Sequence, residues 1–167
     1  MIKRAFLFAY VILLTAACQQ PTLDGLLDRW NDHEVAYVEP EELAAMLDSG
    51  NVVLIDVREW EEFKVSHLPN ADWAGYKDFD PEHTLKHFPD KNTPIVFYCS
   101  LGIRSERIGE FFQEQGYTNI MNLYGGIIEW KNRGQEIYDL SAQSTDSVHT
   151  YSKRYSKYLT NGIPVYD

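Results

Sequence analysis

Two unbroken apolar segments constrain the fold of this chain more than any other feature. They are Val52–Ile55 and Ile95–Tyr98, and the polar residue Asp56 ends the first. A strand with one face in water alternates apolar and polar residues, whereas a strand inside a parallel sheet is covered on both faces and is apolar throughout. The two segments therefore predict two central strands of a mainly parallel sheet.

Shorter strand patterns alternate with helical ones along the rest of the chain. Pro40 stands where a helix favours proline, in its first turn, and Gly50 follows as a typical stop. Further strands are predicted at 35–38 and 119–123, and further helices at 60–64, 81–87, 104–115 and after Gly125-Gly126. Alternating strands and helices imply right-handed crossovers. The predicted fold class is α/β, a mainly parallel central sheet with helices on both faces.

A length of 167 residues suits one ordinary domain. The predicted organisation is a signal peptide at 1–17, a tether with a short helix at 18–33, a catalytic domain at 34–138 and a tyrosine-rich extension at 139–167. Helical spacing of Val148, Tyr151, Tyr155 and Tyr158 predicts that the extension is a helix. Such a helix would dock on the domain through its aromatic stripe, or else bind a partner.

The N-terminus has the pattern of an export signal. Lys3 and Arg4 precede Ala5–Ala17, a run of 13 uncharged residues that is shorter than the roughly 20 residues needed to span a bilayer. Leu14–Cys18 resembles a bacterial lipoprotein processing site, with Thr15 where that family usually has Leu. The resemblance implies that Cys18 is lipidated and that the protein is anchored to a bacterial membrane, facing the periplasm or the exterior. A plain signal peptide is the alternative.

Charge and histidine spacing disfavour two classes of partner. The formal net charge is −10, and an acidic surface repels phosphate backbones, so nucleic acid is not a predicted partner. The spacing of His33, His83, His87 and His149 from cysteines and acids is not that of metal ligands, so no metal site is predicted.

Cys99 is the candidate nucleophile. If Cys18 carries lipid, Cys99 is the one free thiol, and an unpaired cysteine in an exported protein indicates a reactive thiol. An inert buried cysteine is the alternative. Cys99 follows a predicted central strand, at the sheet edge where α/β folds bind ligands. The short turn after it enters a helix, and the backbone N–H groups of such a turn form a cradle for an anion.

Each part of this cradle has a predicted role at Cys99. Its positive potential favours the thiolate over the thiol. Gly102 lets the backbone close around the sulfur. Arg104 offers a planar fork of donors that suits an oxyanion such as a sulfonate.

The loop from Cys99 to Ser105 resembles the active loop of the rhodanese-like family. Leu54–Glu59 with Glu62-Phe63 is similar to the family's first strand and turn. His67–Ala71 is similar to its G-H-I-P-G-A signature, with Ser66 and Asn70 in place of glycines, and Gly125–Trp130 to its G-G-x-x-x-W segment. The resemblance covers residues 35–138.

The resemblance implies a sulfurtransferase in which Cys99 carries a persulfide. The donor would be a small sulfur compound such as thiosulfate, and the acceptor a thiol, cyanide or a protein. No metal or organic cofactor is required. Asp56 would be structural, and Arg58 would either line the pocket mouth or pair with an acid. The implied substrate-binding residues, besides Arg58, are Ser100, Leu101, Gly102, Ile103, Arg104 and Ser105.

Two other functions stay open from the sequence. A cysteine phosphatase or arsenate reductase uses a similar loop with five residues between Cys and Arg, whereas four lie between Cys99 and Arg104. A rhodanese-fold carrier or interaction module would hold sulfur without turnover. Because Leu101 and Ile103 are apolar, the loop is less cationic than in family members with several basic loop residues, which leaves room for a persulfide or polysulfide donor as well as thiosulfate.

Overall fold

A computed structural model describes residues 22–167. Its central sheet has five parallel strands: β1 Ala36–Val38, β2 Val53–Asp56, β3 Asp72–Trp73, β4 Ile95–Tyr98 and β5 Ile120–Leu123. Their order across the sheet is β1-β5-β4-β2-β3. The parallel α/β architecture predicted from the two apolar segments is confirmed. The predicted signal segment 1–17 and the lipidation site Cys18 lie outside the described residues.

In the described part of the chain, six α-helices accompany the sheet: α1 Leu23–Trp30, α2 Pro40–Ser49, α3 Trp60–Phe63, α4 Pro81–His87, α5 Ile103–Glu114 and α6 Gly126–Asn132. The longest has 12 residues. Between residues 22 and 167, none of the helices has the length and apolar character needed to cross a bilayer.

Strand β4 lies at the centre of the sheet, and all four of its residues are buried. Because side chains alternate between the two faces of a strand, β4 contributes to two cores. Val96 and Tyr98 pack in a cluster that includes Trp130 of α6, while Phe97 packs with Phe112 of α5 in the other. Cys99, the residue after β4, therefore follows a strand that is packed on both of its faces.

The edge strand β3 was not predicted from the sequence. It has two residues, both exposed, so it carries no apolar pattern to detect. It pairs with Ile55 and Asp56 of β2, and the indole N–H of Trp73 donates to the Arg58 carbonyl at 2.9 Å.

The prediction of a helix in the C-terminal extension is wrong. After the hairpin of β6 Ile137–Tyr138 and β7 Ser144–Thr145, the chain forms β8 Ser147–His149, a 3-10 turn Ser156–Tyr158 and β9 Ile163–Val165. Strand β8 pairs in parallel with β9. Tyr151 has a φ of +65°, which a right-handed helix cannot accommodate. Val148 is nevertheless buried in the core, so the extension does dock on the domain.

Candidate active site around Cys99

Cys99 lies at the carboxyl end of β4 and is only 2% exposed. Helix α5 begins four residues later, at Ile103, with Gly102 at its N-cap in a left-handed conformation (φ +94°). The Gly102 N–H donates to the Cys99 sulfur at 3.1 Å. The predicted sequence of strand, cysteine, short loop and helix is thus present.

The N-terminus of α6 turns the first part of the loop toward the sulfur. The N–H of Ile127 donates to the Cys99 carbonyl at 3.0 Å, and that of Ile128 to the Ser100 carbonyl at 3.3 Å. In a trans peptide the C=O and the following N–H point in opposite directions. Both following N–H groups therefore point away from α6, into the loop. Gly126 permits this approach, because a Cβ there would lie 2.2 Å from the Cys99 carbonyl oxygen.

Two buried asparagines hold the far side of the loop. The side-chain amides of Asn31 and Asn122 donate to the Gly102 carbonyl at 2.9 and 2.8 Å. The Asn122 carbonyl oxygen accepts the Ser105 hydroxyl at 2.8 Å, and its amide also donates to Glu106. Sequence reasoning missed both residues. Asn122 carried a detectable signal, a polar side chain within an otherwise apolar strand, whereas Asn31 carried none.

The loop makes Cys99 more acidic than an ordinary thiol. Burial alone raises the pKa of Cys99, but the charge of Arg104 and hydrogen bonds from the backbone N–H groups of Ser105 and Leu101 outweigh it and lower the pKa. Since the Ser105 hydroxyl donates its single proton to Asn122, the backbone N–H of Ser105 is the group that donates to the Cys99 sulfur. A lower pKa increases the thiolate fraction at neutral pH, and the thiolate is the nucleophile.

Glu62 of α3 ties the ends of the loop together. Arg104 donates to its two carboxylate oxygens at 2.6 and 2.8 Å, and the Ser100 hydroxyl donates to it at 2.7 Å. Burial raises the pKa of Glu62, but the hydrogen bonds and charge of Arg104, the charge of Arg58 and the Ser100 hydroxyl together lower it to about 2.

The ion pair with Glu62 alters the role predicted for Arg104. In the structure its planar fork faces Glu62 of the protein itself, where an oxyanion of the substrate was expected. Arg104 still reaches the cavity and still stabilises the Cys99 thiolate through its charge.

Arg58 does not reach the cavity, so its predicted contact with substrate is corrected. Its side chain is completely buried and pairs with Asp56, with Nη2 2.7 Å from Oδ2, and it also donates to the Ser66 carbonyl. Asp56 accepts from the Arg58 backbone N–H at 2.9 Å and fixes the turn after β2. His67 forms an isolated antiparallel bridge with Tyr138, and its ring stacks on Phe63.

A cavity of about 310 Å³ opens in front of Cys99. The loop residues Ser100, Leu101, Ile103 and Arg104 line it, whereas Gly102 and Ser105 do not. Arg107 of α5 also lines it, and the remaining lining residues come from four other parts of the chain: Trp30, Glu59, Tyr76 with Lys77, and Tyr151 with Tyr155. Three of these, Trp30, Tyr151 and Tyr155, lie outside the segment predicted as the catalytic domain.

Comparison with solved structures agrees with the fold. The thiosulfate sulfurtransferase of Pseudomonas aeruginosa superposes with a TM-score of 0.60 at 20% sequence identity, over 80% of this chain and 25% of that one. A human single-domain sulfurtransferase superposes with a TM-score of 0.51 at 25% identity, over 59% of this chain and 97% of that one.

Comparison with known sequences identifies the family. A tRNA uridine(34) hydroxylase of Erwinia tasmaniensis is 35% identical over 118 residues, which cover 68% of this chain and 34% of the hydroxylase. The chain thus spans about a third of the length of the curated relatives it matches. Residues 39–133 match the model of the Rhodanese-like domain. The chain therefore belongs to the rhodanese-like family.

Proposed function

We propose that this protein is a sulfurtransferase that carries sulfur as a persulfide on Cys99. The observation that supports it best is the buried thiol at the centre of a loop whose N–H groups and neighbouring arginine favour its anion. The thiolate attacks the outer sulfur of a thiosulfate-type donor, and a new S–S bond forms at Cys99. The old bond of the donor breaks, and its electron pair leaves with sulfite. No external oxidant or reductant is needed.

In the second step a nucleophilic acceptor takes the sulfur. Cyanide, for example, attacks the outer sulfur of the persulfide, thiocyanate leaves, and the Cys99 thiolate returns. This is covalent catalysis in a ping-pong order. The donors that favour the thiolate also suit the persulfide anion, because they are fixed in place before the charge arrives.

Phosphatase or arsenate reductase chemistry has less support. The loop has four residues between Cys99 and Arg104, and the fork that would clasp an oxyanion is bonded to Glu62. Hydroxylation of tRNA also lacks support in an acidic chain of net charge −10 that aligns with a third of the hydroxylase's length.

The test is sulfur transfer to cyanide, measured as thiocyanate, with thiosulfate or a low-molecular-weight persulfide as donor. The wild-type protein is expected to turn over, and Cys99→Ser to be inactive with an unchanged urea midpoint. Activity retained in Cys99→Ser would contradict the mechanism. A single stoichiometric transfer without turnover would indicate a sulfur carrier, and hydrolysis of an aryl phosphate would indicate a phosphatase.

We also propose that the protein is exported and lipid-anchored through Cys18, on the basis of its N-terminal sequence. Dual acylation would give stable attachment, since each buried methylene contributes about 0.8 kcal/mol. Labelling with a palmitate analogue in a bacterial host should mark the wild type and spare Cys18→Ala. An unlabelled wild type would leave a plain signal peptide.

A further inference from the structure

The C-terminal extension forms one wall of the Cys99 cavity. Tyr151 and Tyr155 line the cavity, although both lie beyond the family match at residues 39–133. The Tyr151 ring covers the guanidinium of Arg104 at 4.9 Å, and the Tyr76 ring faces the same group at 6.0 Å. The extension therefore contacts the arginine that promotes the Cys99 thiolate.

This wall is fixed in place. The Thr150 N–H donates to the Val165 carbonyl at 2.8 Å, and the Tyr151 N–H donates to His149 Nδ1 at 3.2 Å. His149 is buried, with Nδ1 4.0 Å from the Glu62 carboxylate. Tyr151 itself has a φ of +65°, a conformation that costs energy for a non-glycine residue and persists where the surroundings enforce it.

The lining of the cavity combines aromatic surface with positive charge. The aromatic residues are Trp30, Tyr76, Tyr151 and Tyr155, and the charged ones are Lys77, Arg104 and Arg107 with the single acid Glu59. Positive charge attracts any anionic donor. Aromatic faces are themselves slightly negative and offer nothing to a bare inorganic anion, but they pack favourably on an apolar or aromatic body. A volume of about 310 Å³ also exceeds what a few-atom anion fills.

We propose that Tyr151 and Tyr155 make the site selective for organic sulfur donors, namely thiosulfonate or persulfide anions with an aromatic or bulky apolar body. This inference rests on the proposed sulfurtransferase function. With an aryl thiosulfonate, the Cys99 thiolate attacks the outer sulfur, the S–S bond forms at Cys99, and the bond to the sulfonyl sulfur breaks. The aryl sulfinate leaves with the electron pair while its ring lies against the tyrosines.

The test compares kcat/KM for benzenethiosulfonate, methanethiosulfonate and thiosulfate in the wild type, Tyr151→Ala and Tyr155→Ala. The first two donors share charge and reacting atoms and differ in the organic group. The wild type should prefer the aryl donor to the methyl donor by about tenfold or more, and each tyrosine variant should reduce that ratio by about fivefold. Tyr166→Ala, an exposed tyrosine of the same extension away from the cavity, should leave the ratio unchanged.

The outcomes separate the two proposals. Transfer from all three donors with a ratio near one, or a ratio unmoved in both cavity variants, would overturn the selectivity and leave the sulfurtransferase function standing. Absence of transfer from every donor would overturn the function and the selectivity with it. Equilibrium binding of benzenesulfonate against methanesulfonate to the wild type is a second readout that needs no turnover, and equal affinities would also overturn the selectivity.

Discussion

Replacing Glu62 by glutamine should destabilise the protein in a pH-dependent way. Glu62 is 2% exposed and accepts hydrogen bonds from Arg104 and Ser100. Glutamine keeps the shape of the side chain but removes the charge that faces the guanidinium. The variant therefore isolates the ionic part of the contact that ties the loop to α3.

The size of the destabilisation in Glu62→Gln follows from the pKa of Glu62, which is lowered from 4.5 to about 2 in the folded protein. At 1.36 kcal/mol per unit, the ionised carboxylate contributes about 3 kcal/mol to the free energy of unfolding at pH 7. A cost of about 3 kcal/mol is also typical when one partner of a buried ion pair is removed. Because the folded pKa is lowered, this contribution is complete above pH 5 and is lost as the pH falls through 2, leaving about 1.5 kcal/mol at pH 3.

Urea unfolding of the wild type and Glu62→Gln between pH 7 and pH 3 measures this directly. The difference in unfolding free energy should shrink by about half over that range. Glu61→Gln is the matched control, since Glu61 is 62% exposed and pairs with Lys64 at the surface. Its effect at pH 7 should stay below about 0.5 kcal/mol. A difference for Glu62→Gln that is below 1 kcal/mol, or that is constant with pH, would refute the reasoning.

Three further substitutions test other parts of the site. Arg104→Ala should raise the pKa of Cys99, seen as an upward shift in the pH profile of iodoacetamide alkylation; an unchanged profile would exclude Arg104 as a stabiliser of the thiolate. Gly126→Ala should cost about 2 kcal/mol in urea unfolding and slow alkylation of Cys99, because a Cβ would strike the Cys99 carbonyl in a backbone that disfavours L residues. Wild-type stability would contradict that close contact. Arg58→Met should lower the unfolding free energy by about 3 kcal/mol by leaving Asp56 buried and unpaired, and the double variant with Asp56→Asn should recover part of the loss; no recovery would argue against pairing as the cause.

The parts of the fold that follow local rules could be predicted from the sequence. The apolar runs at 52–55 and 95–98 indicated buried parallel strands because such strands have no solvent face. Pro40 and Gly50 marked the two ends of α2 for steric reasons that act within a turn. The place of Cys99 at a sheet edge followed from the strand before it.

Contacts between distant segments could not be predicted from local sequence patterns. Glu62 and Arg104 are 42 residues apart, and periodicity does not show which acid an arginine will meet. Arg58 looked like a candidate ligand until the structure placed it with Asp56. The tyrosines of the extension have helical spacing, yet pairing with β9 and the positive φ of Tyr151 override it. Tertiary contacts decide the structure of such short, weakly patterned segments.

We propose that Cys99 carries sulfur covalently. Intact-mass measurement of the wild type and Cys99→Ser, each incubated with benzenethiosulfonate and freed of excess donor, tests it most directly. The wild type should gain the mass of one sulfur atom, located on Cys99 by peptide mapping and lost again on addition of cyanide. A wild type that gains no sulfur, or a Cys99→Ser variant that gains as much, would contradict it.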